Sequence, residues 1–169
     1  YRNMNNSLPR LFELPEKVRY FFAAFLLVLT IGVSIGLVYV NRTTAMTVDG
    51  TTEHYAGSIL GDELDIPDKY PKEIEGMLLT THSHLISFSF IFFFLGALFY
   101  MNSIVTNGWK TFLMIEPFVS VLSTFGSIWG IRYYSPSFSI VTLVFGILTY
   151  LSFYLIVAVC LYDLLLKKD

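Results

Sequence analysis

Four long apolar segments dominate this chain and decide which solvent it can fold in. They cover residues 20–40, 77–101, 111–131 and 138–166. A helix needs about 20 apolar residues to cross the hydrocarbon core of a bilayer, and each segment is long enough. Only 14% of the residues are charged, against roughly 25% in soluble domains. The sequence therefore predicts an all-α membrane protein, a bundle of four transmembrane helices that forms one domain of residues 1–169.

Turn signals between the apolar segments set the expected ends of these helices. Asn107-Gly108 favours a tight turn. Pro71 suits the start of the second helix, because proline is favoured at the first helical position. An extended piece at 38–48 is an alternative to helix in that stretch. We expect helices at about 18–41, 72–103, 109–133 and 136–167, and an outer loop at about 42–71.

The basic residues favour one orientation in the membrane. Seven of the 11 Lys and Arg residues lie before the first helix, between the second and third, or after the fourth, and four lie on the opposite side. Cytoplasmic loops carry an excess of Lys and Arg, so both termini are predicted to be cytoplasmic. The cytoplasmic group is Arg2, Arg10, Lys17, Arg19, Lys110, Lys167 and Lys168, and the opposite group is Arg42, Lys69, Lys72 and Arg132.

The predicted outer loop is acidic. It holds eight Asp and Glu residues from Asp49 to Glu75, against Lys69 and Lys72. The loop is too short for a domain of its own, so we expect it to pack as a cap on the outer mouth of the bundle. Its charge could steer a basic periplasmic partner such as a cytochrome c. The alternative is that acids collect where the positive-inside rule leaves room for them.

Several functions are excluded within this chain. Cys160 is the single cysteine, which excludes an internal disulfide, a covalent c-type haem and a thiolate metal site. The net charge is −2 and no basic cluster lies beyond the juxtamembrane residues, which argues against nucleic-acid binding. No P-loop, GxSxG, HExxH or Rossmann pattern occurs.

Two histidines near the start of the second span are the first candidate site residues. His82 and His84 lie in Thr81-His82-Ser83-His84, and an ionisable side chain at membrane depth marks a functional site by default. Residues two apart point to nearly opposite sides of a helix, whereas one helix holds a metal with a spacing of three or four. Each imidazole therefore hydrogen-bonds a neighbouring helix or loop carbonyl, ligates haem b or a metal, or contacts a proton or quinol. Polar groups on more than one side also indicate that this span is central.

His54 in the outer loop extends the metal hypothesis. If the loop folds over the outer mouth, His54 approaches His82 or His84. Three nitrogens with a carboxylate such as Glu53 suit zinc, copper or iron. The alternative is a solvated loop histidine.

Glu116 is an acid well inside the third apolar segment. Ser120, Ser123 and Ser127 follow it at helical spacing and extend a polar stripe towards the outer side. In one interpretation, Glu116 reaches the inner surface or pairs with Lys110. In the other, it is a carboxyl that binds a proton or a quinol.

Two pairs of glycines predict a close contact between helices. Gly32 and Gly36 lie in the outer half of the first span, and Gly126 and Gly130 in that of the third. Such a GxxxG pair lets two helix backbones approach closely, so we expect these two spans to pack together there. Arg132, at the end of the third span, either anchors the membrane interface or ties the acidic loop to the bundle.

Three short segments carry a resemblance to a known group of proteins. They are Glu53-His54-Tyr55-Ala56-Gly57, Thr81-His82-Ser83-His84, and Glu116-Pro117-Phe118 with Thr124-Phe125-Gly126. The chain resembles uncharacterised bacterial membrane proteins with four spans that carry EHYxG, THxH and EPF…TFG segments.

The resemblance implies a multi-pass protein of the bacterial inner membrane. It also implies a neighbourhood of multihaem cytochromes and respiratory genes, and it assigns no role to any residue. The usual four-helix b-type cytochrome presents histidines on facing helices, whereas the other three spans here have none. A bis-histidine haem would therefore need His54 or a ligand from a partner.

Three functions stay open. The first is an accessory, non-catalytic subunit of a larger membrane complex, respiratory or otherwise electron-transferring, in contact with the lipid bilayer and other membrane subunits. The second is a redox protein in its own right, with haem b or a metal at His82 or His84 and a quinol at Glu116. The third is a small transporter or channel, which needs a continuous polar path. Glu116 and its serine stripe supply one half of such a path, and no matching half is visible in the sequence.

Overall fold

The computed structural model of the protein describes residues 9–58 and 66–167. Residues 1–8, 59–65 and 168–169 lie outside the described part. The sequence predictions that fall there concern Asp62, Glu63 and Asp65 of the acidic loop and the basic residues Arg2 and Lys168.

Helices make up most of the described chain. Four of them are long and apolar enough to cross a membrane, and no strand occurs within 9–58 or 66–167. The structure therefore confirms the predicted all-helical membrane fold. The helices are α1 Glu16–Thr44, α2 Val48–Ala56, α3 Ile74–Tyr100, α4 Asn107–Tyr133 and α5 Phe138–Leu165, of which α2 is the short one.

Helix α1 continues to Thr44, so the alternative of an extended piece at 38–48 is wrong. The hydroxyls of Thr43 and Thr44 donate to backbone carbonyls one turn earlier, at 3.0 Å to Tyr39 and 2.9 Å to Val40. Threonines inside helices commonly bond in this way. Both hydroxyls are thus satisfied within the helix, and an extended backbone would break these bonds.

A short helix, α2, occupies the middle of what the sequence predicts as the outer loop. It starts after Thr47, whose Oγ1 accepts a hydrogen bond from the backbone N–H of Gly50 at 3.0 Å, the usual arrangement of an N-cap. It ends at Gly57, whose φ is 88°, a conformation that glycine adopts at little cost. The sequence does not predict this helix, because Asp49-Gly50 has the pattern of a turn.

Helix α5 is the centre of the bundle. It packs against α1, α3 and α4 and also contacts α2, and its interface with α4 is the most extensive in the protein. Helix α3 packs on α4 and on part of α5, whereas α1 packs on α5. The prediction that the second span, α3, is central is therefore wrong.

The two ends of the bundle are built differently. The end that carries α2 is called the outer end below, and the end with the connection between α3 and α4 is called the inner end. Large apolar side chains fill the inner half, among them the buried Phe92, Phe99 and Phe153. A 3-10 turn at Leu11–Glu13 adds the fully buried Leu11, whose N–H donates to the Met101 carbonyl at 3.1 Å.

Helix α2 and Lys72 lie at the outer end and bond to the neighbouring helices, as expected of the predicted cap. The N–H of Lys72 donates to the Tyr55 carbonyl at 3.1 Å. Arg132 Nε in turn donates to the Lys72 carbonyl at 3.1 Å, so this arginine joins the loop to the end of α4. The hydroxyls of Thr52 and Ser139 lie 2.6 Å apart and join α2 to the start of α5.

The glycines do not bring α1 and α4 together. A Cβ atom added at Gly32 or at Gly126 would meet no atom within 4 Å, so neither glycine lies at a close helix contact. At Gly36 the added atom would lie 3.9 Å from Tyr150 Oη of α5. The predicted contact between the first and third spans, α1 and α4, is therefore wrong, because α1 packs on α5 instead.

Of the four glycines, Gly130 is the one at which another residue approaches the backbone so closely that only glycine fits. A Cβ atom there would lie 2.5 Å from Cγ of Phe138. Gly130 lies near the end of α4 and Phe138 begins α5, so this contact sets the distance between the two helices at the point where their packing starts.

We expect Gly130→Ala to destabilise the protein by about 1–3 kcal/mol, the usual cost of overpacking, because the ring of Phe138 must move. Gly126→Ala is the matched control, since its new methyl group meets open space and alanine favours helix. Thermal unfolding in detergent micelles, followed by circular dichroism, measures both. Equal unfolding temperatures for the two variants would contradict the packing described for Gly130.

Candidate functional site

The candidate site is centred on the carboxyl group of Glu116 in α4. Its Oε1 accepts a hydrogen bond from the hydroxyl of Ser120, one turn further along α4, and its Oε2 accepts one from Ser152 of α5. Both serines are buried. The antiparallel packing of α4 on α5 therefore encloses the carboxyl between two hydroxyl groups.

Lys110 does not pair with Glu116. Its Nζ donates to the backbone carbonyls of Tyr100 at 3.1 Å and Asn102 at 2.8 Å, at the end of α3. Within 9–58 and 66–167, the one ion pair joins Lys69 to Glu53 at 3.4 Å. The interpretation in which Lys110 neutralises Glu116 is therefore wrong.

Small polar side chains continue from Glu116 along the interface of α4 and α5 towards the outer end. The hydroxyls of Ser127 and Thr142 lie 2.7 Å apart across this interface, and Ser139 reaches Thr52 of α2. Thr149 is also buried and lies on the face of α5 that carries Thr142 and Ser152. We call this set the polar seam; its members are Glu116, Ser120 and Ser127 of α4 and Ser139, Thr142, Thr149 and Ser152 of α5.

The polar seam stops at Glu116 on the inner side. The next buried residues of α5 towards the inner end are apolar, namely Phe153, Ile156 and Val157. At the same level, Phe92 of α3 packs against Phe118 of α4 with ring centroids 6.3 Å apart. The α5 residues of the seam supply the second half of the polar path, which the sequence did not reveal. The path does not cross the bundle, because the seam ends in its middle.

The two histidines of α3 are exposed. His84 Nδ1 lies 2.8 Å from the Thr80 carbonyl, and because a carbonyl only accepts, Nδ1 is the donor. In the neutral ring, Nε2 then keeps a free lone pair, the state in which imidazole binds metals. The ring also lies 5.0 Å from that of Phe125 in α4. Directly before His82, Thr81 accepts a hydrogen bond from Trp129 Nε1 of α4 at 3.0 Å.

His54 lies in the last turn of α2, with its ring edge-on to that of Tyr55 at 4.8 Å. Its pKa is lowered to about 4, chiefly because burial disfavours the charged ring and further because Lys72 and Lys69 lie near. Burial likewise raises the pKa of Tyr55 to about 12. This end of α2 thus holds His54 in its neutral form.

The three histidines do not form a metal site. In the part of the chain that the structure describes, no group of three or more His, Cys, Asp or Glu residues could hold a metal ion. The physical reason is the packing of α2, which contacts α1, α4 and α5 and so places His54 away from α3. His82 and His84 also leave α3 in nearly opposite directions.

His54 gives the protein a predictable response to acid. Between pH 6.5 and about 4 the folded state keeps this ring neutral while the unfolded chain protonates it. The unfolded state then binds more protons, so stability that is present above pH 6.5 is lost as the pH falls towards 4.

We expect His54→Gln to lose less stability than the wild type over this pH range, because the variant has no ring to protonate. Chemical unfolding at a series of pH values measures the difference. His82→Gln, which alters an exposed ring, should follow the wild type. The same acid sensitivity in His54→Gln and wild type would show that His54 is not held neutral by the fold.

The sequence analysis missed the polar side chains of α5. Ser139, Thr142, Thr149 and Ser152 recur at spacings of three and seven residues, which places them on one helix face. That spacing is the signal that could have revealed the second half of the seam. It is weak in a segment that is otherwise apolar on every side.

A second missed residue is Asp163, near the end of α5, which is fully buried. Its carboxylate accepts hydrogen bonds from Ser103, at 2.8 Å from the N–H and 2.7 Å from the hydroxyl. Lys167 Nζ donates to the same hydroxyl at 2.5 Å. This cluster joins α5 to the connection between α3 and α4, and the spacing of four between Asp163 and Lys167 is its sequence signal.

These features define a multi-pass membrane protein whose four spans contact the lipid bilayer. A family model described as a transmembrane helical domain matches residues 45–169, and the chain belongs to this family. The match begins directly after α1 and includes α2 to α5 with the whole polar seam. No curated protein and no solved structure matches the chain.

Proposed function

We propose that the protein is a non-catalytic subunit of a larger complex in the bacterial inner membrane, and that it binds another integral membrane protein through the outer half of α3. The observation that carries this proposal is a set of exposed polar side chains on a membrane-spanning helix. Hydrocarbon cannot hydrogen-bond such groups, whereas a neighbouring protein can. The set is His82, Ser83, His84, Ser87 and Ser89, all exposed.

The other spans do not expose a comparable set of polar side chains. Ser120, Ser127 and Ser152 of α4 and α5 are buried. Helix α1 exposes apolar side chains such as Val28, at 71%, and Ile31, at 62%, which suit contact with lipid. Helix α3 therefore differs from its neighbours in presenting both rings and hydroxyls to its surroundings, which supports a protein partner on that side.

A photo-crosslinking residue placed at Ser87, on the proposed interface, tests this function in native membranes. We expect a defined protein adduct there, because Ser87 lies on the same side of α3 as His84, the side that the partner covers. The same residue at Val28 of α1 is the matched control and should give lipid adducts. Lipid adducts alone at both positions would contradict the proposal.

His84 favours a second candidate function, that of a haem b or metal ligand shared with the partner. Its Nδ1 bond to Thr80 fixes the ring and leaves Nε2 free. His84 belongs to no group of three or more His, Cys, Asp or Glu residues within the described ranges that could hold a metal ion, so the partner would supply the other ligand. A quinol site at Glu116 has less support, because both carboxyl oxygens already accept hydrogen bonds from buried serine hydroxyls.

The electron-transfer setting rests on the resemblance in the EHYxG, THxH and EPF…TFG segments, and the visible spectrum of the purified complex tests it. We expect a Soret band that disappears in His84→Ala, because the axial ligand is lost. The band should persist in His82→Ala, the control two residues away. A band of equal strength in both variants would exclude His84 as the ligand, and a colourless complex would leave only the structural role.

A further inference from the structure

Glu116 lies deep in the membrane-spanning part of α4. It is nine residues from the start of the helix, which corresponds to about 14 Å at 1.5 Å per residue. The hydrocarbon core is about 30 Å thick. An ionised carboxylate at such a depth is costly unless a cation or a set of hydrogen bonds compensates it.

The charged residues of α4 itself do not reach Glu116. Lys110 is bound to two carbonyls at the inner end, and Arg132 is bound to the Lys72 carbonyl at the outer end. Sixteen residues, or about 24 Å of helix, separate Arg132 from Glu116. Helix α2, with Asp49, Glu53, His54 and Tyr55, also lies at the outer end.

Helix α3 presents no titratable group at this level. Between His84 and Tyr100 its sequence contains none. Phe92 of α3 contacts Phe118, which lies two residues after Glu116 in α4, so this contact lies at the same depth in the bundle as Glu116. The α3 side of the site is therefore aromatic and apolar.

The titratable residues of α5 are directed elsewhere. Tyr154 bonds Ser34 of α1 through its hydroxyl at 2.8 Å, and Tyr150 lies beside Gly36 of α1. Asp163 is bound to the connection at the inner end, where Cys160 and Tyr162 also lie. Helix α5 thus offers Glu116 only the neutral hydroxyl of Ser152.

We propose that Glu116 is a proton-binding site, and that the polar seam connects it to the outer side of the membrane. Two hydroxyl hydrogen bonds compensate the carboxyl only in part, and no described cation lies near, so a bound proton is the charge that completes the site. When the proton is bound, the carboxyl O–H donates to one of the two serine hydroxyls, which then accepts instead of donating. This inference goes beyond the proposed subunit function and does not depend on it, since it concerns the interior of α4 and α5 and not the face of α3.

The polar seam explains why access is from one side. Hydroxyl groups both donate and accept hydrogen bonds, and they recur from Ser152 through Thr149 and Thr142 to Ser139 near the cap. Thr124 adds a buried hydroxyl that bonds no other group in the described ranges. On the inner side, buried apolar side chains such as Ile156 offer no such groups.

Infrared difference spectroscopy of the full chain in lipid vesicles tests the proton site. At neutral pH, the wild type minus Glu116→Gln should show the carbonyl band of a protonated carboxyl, and this band is lost in the variant. Wild type minus Glu75→Gln is the control, because Glu75 is exposed in the first turn of α3 and should give carboxylate bands. Carboxylate bands alone for Glu116 would overturn the proposal.

The same band tests the direction of access in oriented vesicles. An alkaline step on the outer side should remove it sooner than a step on the inner side. Thr142→Val should slow the response severalfold, because it breaks the bond between Ser127 and Thr142. Thr30→Val, which removes a hydroxyl bonded inside α1 to the Leu26 carbonyl, should not. An equal response to steps on both sides would overturn the proposed route.

Discussion

Hydrocarbon forms no hydrogen bonds, so each polar side chain in a membrane span must be satisfied by the protein. The pairing of α4 with α5 is the main way in which this chain meets that constraint. Glu116 and Ser127 of α4 bond Ser152 and Thr142 of α5, and Ser139 at the start of α5 bonds Thr52 of α2. Because the polar face of α5 must be covered, α5 becomes the centre of the bundle, and α1 and α3 pack around the pair.

The same constraint has a different consequence for α3, whose two halves differ in burial. Its inner half contributes Phe92, Leu95 and Phe99 to the apolar core and needs nothing further. Its outer half exposes His82 and His84 together with serines, even though the His84 ring lies beside Phe125 of α4. The inner half of α3 is thus packed within this chain, whereas its outer half leaves polar side chains exposed. This is the pattern expected of a surface that binds another subunit.

Segment length and apolar content were enough to predict the four spans, because the cost of exposing a backbone to lipid outweighs local preferences. The order of packing was not predictable in that way. The glycine pairs suggested that α1 contacts α4, but a small residue permits a close approach without requiring it, and Gly32 and Gly126 meet open space. Helix α2 escaped prediction because Asp49-Gly50 fits a turn as well as a helix start. Glu116 could be found from the sequence, whereas its enclosure by Ser152 depends on which helix becomes its neighbour.

The carboxyl groups of Asp163 and Glu116 show how differently one kind of group can be used. Asp163 accepts a backbone N–H and a hydroxyl from Ser103, and the ammonium of Lys167 lies one hydrogen bond away. Charge and donors are both supplied there, so Asp163 holds the inner end of α5 to the neighbouring connection. Glu116 receives two hydroxyls and no cation. Its charge is therefore free to be set by a proton, and the polar seam lies on the side from which that proton can come.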